Sequence, residues 1–198
     1  MELDAVDLNR LVARARGGDG AAFESLWLLF APKVAAYVRS RGVRSVDDVT
    51  SEVFLGAFSG LPGFYGDGAA FRSWLFTLAH HKSVDAFRRA RPESPYDPAD
   101  DDRLSASAED EAMPRLGLGQ LESALKNLPD AQREVLLLRV LADLSVDEIA
   151  RLIGRTPAAT RQLQKRAVAN LRRSVDPSSD ADIRPLRAVP ERLGEAIA

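Results

Sequence analysis

Apolar positions recur at three- and four-residue spacing through most of the chain, and no stretch alternates with the period of two that a half-buried strand requires. The spacing predicts a helix from about Asp4 to Arg16. A second runs from Ala21 to Arg41 and carries Phe23, Leu26, Trp27, Phe30, Val34 and Tyr37. A third begins at Ser45 and reaches about Ser59, with Asp48 near its positive end. Gly60-Leu61-Pro62-Gly63 breaks it, and Gly66-Asp67-Gly68 marks a loop. A fourth helix, Ala69 to Arg91, holds Phe71, Trp74, Leu75, Leu78, Val84 and Phe87 and ends in Arg88-Arg89-Ala90-Arg91. Further on, Leu121–Leu128 and Asp130–Leu141 precede two short helices with a tight turn between them. The fold class is all-α.

The two short helices, between Leu144 and Arg173, carry the clearest local signals. Ser145 and Glu148 have the S-x-x-E spacing of a capping box, in which each side chain satisfies a free backbone N–H. Ile149, Leu152 and Ile153 make an apolar stripe, and Gly154 can take the left-handed conformation that ends a helix. Thr156 is placed to cap the next helix and Pro157 to occupy its first position. Thr160, Leu163, Ala167 and Leu171 then share one side, while Ala158, Arg161, Gln162 and Lys165 point largely the other way. This is the pattern of a helix-turn-helix whose second helix reads DNA.

Composition bears on what chemistry is open. The chain has 198 residues, 45% hydrophobic and 28% charged, enough for one or two soluble domains. It has no cysteine, so a disulfide framework and a cysteine-based zinc site are excluded. Its only histidines, His80 and His81, are adjacent and diverge on a helix, so they cannot chelate one metal together. No nucleophile–base set, phosphate loop or metal cluster stands out, and the expectation is a non-enzyme without cofactor or metal. No apolar run is expected to reach the length of a membrane span.

Net charge is −2, but it is unevenly distributed. Residues 1–92 hold 12 Lys/Arg against 10 Asp/Glu, and residues 121–174 hold 10 against 6. Between them, residues 93–120 hold 2 against 8. Two mildly basic blocks flank an acidic, Pro- and Ser-containing connector too poor in large apolar groups to order itself. The expected organisation is therefore a helical domain at 1–92, a flexible acidic linker at 93–117, a second helical domain at 118–174 and a disordered tail at 175–198.

The segments SVDDVTSEVFLGAFSGLPGF and FRSWLFTLAHHKSVDAFRRAR resemble region 2 of bacterial sigma factors, and LPDAQREVLLLRVLADLSVDEIARLIGRTPAATRQLQKRAVANLRR resembles region 4. With only a short connector between them, the chain resembles an extracytoplasmic-function, or group 4, sigma factor. The resemblance implies a subunit that docks on core RNA polymerase, through the β′ clamp helices and the β flap, and directs it to promoters. Asp48, Glu52, Phe54 and Phe58 match the polymerase-docking segment, with Ser51 where the family usually has Gln. Phe64, Tyr65 and Phe71 around the glycine loop, with His80, His81, Lys82, Arg88, Arg89 and Arg91 on the following helix, match the part that opens and reads the minus-ten element. A melted strand wants aromatic or polar walls and a basic track.

For the minus-thirty-five element, Arg and Lys can donate to guanine, Gln can pair with adenine and Ala can meet a thymine methyl. The base-edge candidates are Arg155, Ala158, Arg161, Gln162 and Lys165; Thr156 and Arg166 complete the DNA-binding set, Arg166 as a phosphate contact along with Arg172 and Arg173. Leu163 stands where the family has an arginine contact, so that contact is not carried over. The implied partners are core polymerase, promoter DNA as duplex and melted strand, and an anti-sigma factor. The implied location is the bacterial cytoplasm, at the nucleoid when active. Two other readings are a dimeric helix-turn-helix regulator with a palindromic site and no polymerase contact, and a sequestering protein with no DNA contact at all.

Overall fold

The computed structural model describes residues 5–90 and 123–175. Its helices are α1 (Ala5–Arg16), α2 (Gly20–Ser40), α3 (Val46–Gly60) and α4 (Gly68–Ala90), with a 3-10 turn at Leu61–Gly63, followed by α5 (Asp130–Leu141), α6 (Val146–Leu152) and α7 (Pro157–Val175). Residues 123–126 are helical as well, within the stretch expected at 121–128. The helices form two compact units, one built on α1–α4 and one on α5–α7. The acidic linker, Arg91 and the tail beyond Val175 lie outside the described residues.

The first unit is a bundle in which α2 packs on α1, α3 and α4. Leu26, Phe30, Val34 and Tyr37 recur every three or four residues and are each at most 1% exposed. At about 1.5–3 kcal/mol for each large apolar side chain, this face supplies much of the burial term. Helix α2 also corrects the expectation on apolar length: it runs 21 residues and holds an 18-residue window of mean hydropathy 1.2, long and apolar enough to cross a membrane by length and composition. Glu24 and Lys33 interrupt every unbroken apolar run in this helix, whereas the mean over 18 residues absorbs them. In this unit the apolar face of α2 is committed to protein contacts.

Asp19 starts α2, a cap the residue spacing had not singled out. Its carboxylate accepts the backbone N–H of Ala21 at 3.0 Å and of Ala22 at 3.1 Å, and Arg14 Nε donates to it at 2.9 Å. The Ala22 N–H, followed by the Arg14 hydrogen bond, holds this carboxyl below its ordinary value. At the other end of the bundle Gly68 opens α4 rather than belonging to the preceding loop. Its N–H donates to Asn9 Oδ1 at 2.7 Å, and a Cβ there would lie 2.6 Å from Leu8 Cγ. The absent side chain is what lets α4 begin against α1.

In the second unit, buried Leu128, Leu136 and Ala167 form a small core onto which Leu125, Val168 and Leu171 pack. Arg133, 7% exposed, is held by the Leu128 carbonyl and by Asp130. Asn170 Nδ2 donates to Gln132 Oε1 at 2.7 Å and so ties α7 to α5.

Three substitutions have expected outcomes. Both tryptophans, Trp27 and Trp74, belong to the first unit, so urea unfolding followed by their fluorescence reads that unit alone. Gly68→Ala should destabilise it by about 1–3 kcal/mol through overpacking against Leu8. Gly56→Ala, where a Cβ meets nothing within 4 Å, should be neutral or stabilising by up to about 1 kcal/mol. The Asp19 cap should make the unit sensitive to acid. Because its folded value is lowered, its contribution is complete above the ordinary aspartate range and is lost as pH falls below about 4. Asp19→Asn should therefore flatten the acid limb of the stability–pH curve, measured by the same fluorescence.

Candidate polymerase and nucleic-acid interfaces

The geometry of α6, the turn and α7 follows from their caps. Ser145 Oγ accepts the Glu148 N–H at 3.3 Å while Glu148 Oε2 accepts the Ser145 N–H at 2.8 Å, closing the capping box. Gly154 has φ +67°, a conformation side chains rarely adopt, and the chain reverses there. The Arg155 N–H donates back to the Ala150 carbonyl at 2.9 Å. Thr156 Oγ1 accepts the Ala159 N–H at 3.2 Å and starts α7. Thr160 and Ala167 are fully buried, and this seating turns the opposite face outward. Arg155, Thr156, Ala158, Arg161, Gln162, Lys165 and Arg166 are all exposed. Among the described residues no carboxylate pairs with Arg155, Arg161, Lys165 or Arg166. Arg173 differs, donating to Asn170 Oδ1 on its own helix.

In the first unit the structure separates the aromatics grouped around the glycine loop. Tyr65 is 87% exposed. Phe64 is half-buried and stacks on Trp74 with centroids 5.1 Å apart and planes at 23°. Phe71, expected to flank the loop as a DNA-facing ring, is instead 1% exposed. It meets Phe30 at 5.8 Å, Phe64 at 6.0 Å and Trp74 at 6.0 Å. Its place on the inner stripe of α4, facing α2, makes it the support under the loop aromatics and removes it from the accessible surface.

Along α4, His81, Arg88 and Arg89 are exposed and Lys82 is partly so. His80 is half-buried, with Nδ1 3.1 Å from the hydroxyl of buried Tyr37. Tyr37 in turn packs edge-on against Phe76 at 5.8 Å. The His80 ring is therefore oriented from inside the bundle, a link between positions 43 residues apart that sequence spacing could not reveal.

On α3, Asp48 and Phe58 are exposed and Glu52 is partly so. Phe54 is 1% exposed; it meets Trp27 at 4.4 Å and Phe23 at 6.5 Å. Phe54 thus forms the floor of this surface, while Phe58, 56% exposed, lies 5.0 Å from Phe23 on its rim. Phe23, Trp27, Asp48, Glu52, Leu55 and Phe58 line a shallow open groove of about 570 Å³. A second groove of about 410 Å³ adjoins it across Trp27 and Ser51 and includes Leu28. Leu28 and Leu55 are 68% and 67% exposed and were absent from the expected docking set. For Leu55 a signal existed, since Asp48, Glu52 and Leu55 follow one helical face at i, i+4 and i+7.

Comparison with known proteins bears on both units. Residues 26–93 match the family described as Sigma-70 region 2, and residues 118–171 match Sigma-70, region 4. The chain is 34% identical over 190 residues to the ECF RNA polymerase sigma factor SigD of Mycobacterium tuberculosis, covering 91% of this chain and 89% of that protein. It is 30% identical over 182 residues to the RNA polymerase sigma factor CnrH of Cupriavidus metallidurans, covering 86% of this chain and 95% of the relative. A solved structure of CnrH in complex with the cytosolic domain of CnrY superposes with a TM-score of 0.58 at 29% identity, over 87% of this chain and 100% of that one. With its helical units, its capped helix-turn-helix and this similarity over nearly its full length, the chain belongs to the extracytoplasmic-function family of RNA polymerase sigma factors, which is non-catalytic.

Proposed function

We propose that the two units divide the work of initiation. The domain at 1–92 docks on core polymerase and engages the minus-ten element, and the domain at 118–174 reads the minus-thirty-five element as duplex. The observation that carries this reading is the capped α6–turn–α7 unit, whose buried Thr160 and Ala167 leave Arg155, Ala158, Arg161, Gln162 and Lys165 facing solvent. Arg161 and Lys165 lie one helical turn apart, a spacing that suits adjacent base edges in the major groove. Arg155, Ala158 and Gln162 are the further base-edge candidates, with Thr156 beside them and Arg166 as a phosphate contact.

For polymerase docking, the support is the groove beside α3, where Asp48 and Glu52 border apolar Leu55 and Phe58. Carboxylates beside an apolar strip suit a basic helical partner such as the β′ clamp helices, and the second domain would meet the β flap. For melting, exposed Tyr65 offers a stacking surface beside Phe64, which stacks on Trp74, and His80, His81, Lys82, Arg88 and Arg89 form the polar and basic track, which Arg91, next in sequence after the described residues, is proposed to extend. The polymerase supplies the chemistry; this chain supplies position. It acts in the bacterial cytoplasm, on the nucleoid when engaged. The solved complex of CnrH with CnrY supports an anti-sigma factor as the partner that covers these surfaces when the chain is idle.

Run-off transcription with bacterial core polymerase on a genomic promoter library tests the division. Arg161→Ala should lower transcription about 5- to 150-fold at promoters that need the upstream element, matching the roughly 1–3 kcal/mol of a base contact. It should leave core binding unchanged. Phe58→Ala should do the reverse, weakening core binding about tenfold in an affinity titration, as expected for an interface aromatic. If Arg161→Ala lowered all promoters equally, or weakened core binding instead, the division would be wrong.

A further inference from the structure

Glu52 stands where two surfaces meet. Its carboxylate borders the α3 groove beside Asp48 and Leu55, and it also reaches across to α4, which packs against α3. Lys82 Nζ lies 3.3 Å from Glu52 Oε2, and an Arg89 guanidinium nitrogen lies 3.7 Å from Oε1. Among the described residues these are its ion-pair partners. Both oxygens are thus engaged by cations of the proposed minus-ten track, on a side chain 38% exposed and open to an incoming partner.

We propose that Glu52 is a shared counter-ion that couples polymerase docking to capture of the melted strand. This rests on the functional reading above, in which α3 faces polymerase and Lys82 and Arg89 face DNA. In the free chain the carboxylate holds both cations, so a DNA phosphate must displace it. A basic residue of the docking partner entering the groove takes the same carboxylate and releases Lys82 and Arg89 toward phosphate. By linkage, DNA bound to those cations frees Glu52 for the partner to the same degree. Pairs this exposed are individually weak, so the coupling is graded, of the order of threefold to tenfold for the two together. Such a device lowers stray binding by the free subunit without lowering affinity in the assembled complex.

The test uses the full chain without polymerase and a labelled, mixed-sequence DNA single strand, followed by fluorescence anisotropy at low salt. Glu52→Gln should tighten binding about threefold to tenfold. Asp47→Asn, which removes a charge from the exposed first turn of the same helix, should change it by less than about twofold. The Lys82→Gln/Arg89→Gln pair should weaken binding, and adding Glu52→Gln to that pair should then have no further effect, closing a thermodynamic cycle. Circular dichroism checks that each variant is folded. If Glu52→Gln changed nothing while the Lys82/Arg89 pair weakened binding, the shared counter-ion would be refuted and the DNA track retained. Equal tightening by Glu52→Gln in both backgrounds would reduce its effect to general charge and overturn the coupling. No effect from the Lys82/Arg89 pair would remove those cations from the DNA track, and the coupling with them.

Discussion

The first unit depends on the buried face of α2. Leu26, Phe30, Val34 and Tyr37 fill the bundle interior, and each candidate surface of the unit is held by a ring that this helix supports. Phe30 meets Phe71, which carries Phe64 and Trp74 beneath the Tyr65 loop. Tyr37 reaches His80 on α4. Trp27 and Phe23, on the outer flank of the same helix, meet Phe54 and Phe58 and shape the groove beside α3. One helix therefore positions the docking groove, the loop and the polar edge together. Close packing makes such a core discontinuous in its responses, so displacement of α2 would disturb all three at once.

The second unit is organised differently. Its core is small; α7 is seated by buried Thr160 and Ala167 and by the Asn170–Gln132 hydrogen bond, and its start is set by local devices: the Ser145–Glu148 box, the left-handed Gly154 and the Thr156 cap. Each contributes on the order of 1 kcal/mol, and together they specify the angle at which the exposed face of α7 is presented. Packing across a whole bundle in one unit, and a small core aided by local caps in the other, suit their tasks. The first must hold several surfaces in register, whereas the second must present one helix.

This difference also explains how much was legible in the sequence. Caps and turns are local, so Ser145, Glu148, Gly154 and Thr156 could be read directly, and α5 runs over Asp130–Leu141 as the periodicity predicts. Apolar periodicity likewise located α1–α4 to within a residue or two. What periodicity cannot do is rank the apolar stripe by depth. Phe54 shares α3 with exposed Phe58, and Phe71 opens α4 six residues after exposed Tyr65; only the packing against α2 decides that Phe54 and Phe71 are buried while Tyr65 and Phe58 are not. Gly68 looked like a loop residue because the close approach of Leu8 comes from 60 positions earlier. The Tyr37–His80 and Glu52–Lys82–Arg89 contacts are tertiary for the same reason.

Membership of the sigma family rests on the match of both units; the central claim that remains to be tested is which surface of each unit meets which part of the promoter. The most direct measurement is site-specific photocrosslinking in a promoter-bound holoenzyme, with the photoreactive residue placed at Tyr65 in one protein and at Arg161 in another. Crosslinks are expected from position 65 to the non-template strand of the minus-ten element and from position 161 to duplex bases of the minus-thirty-five element. Crosslinks from both positions to the same element, or from position 65 to duplex upstream of the melted segment, would contradict this assignment.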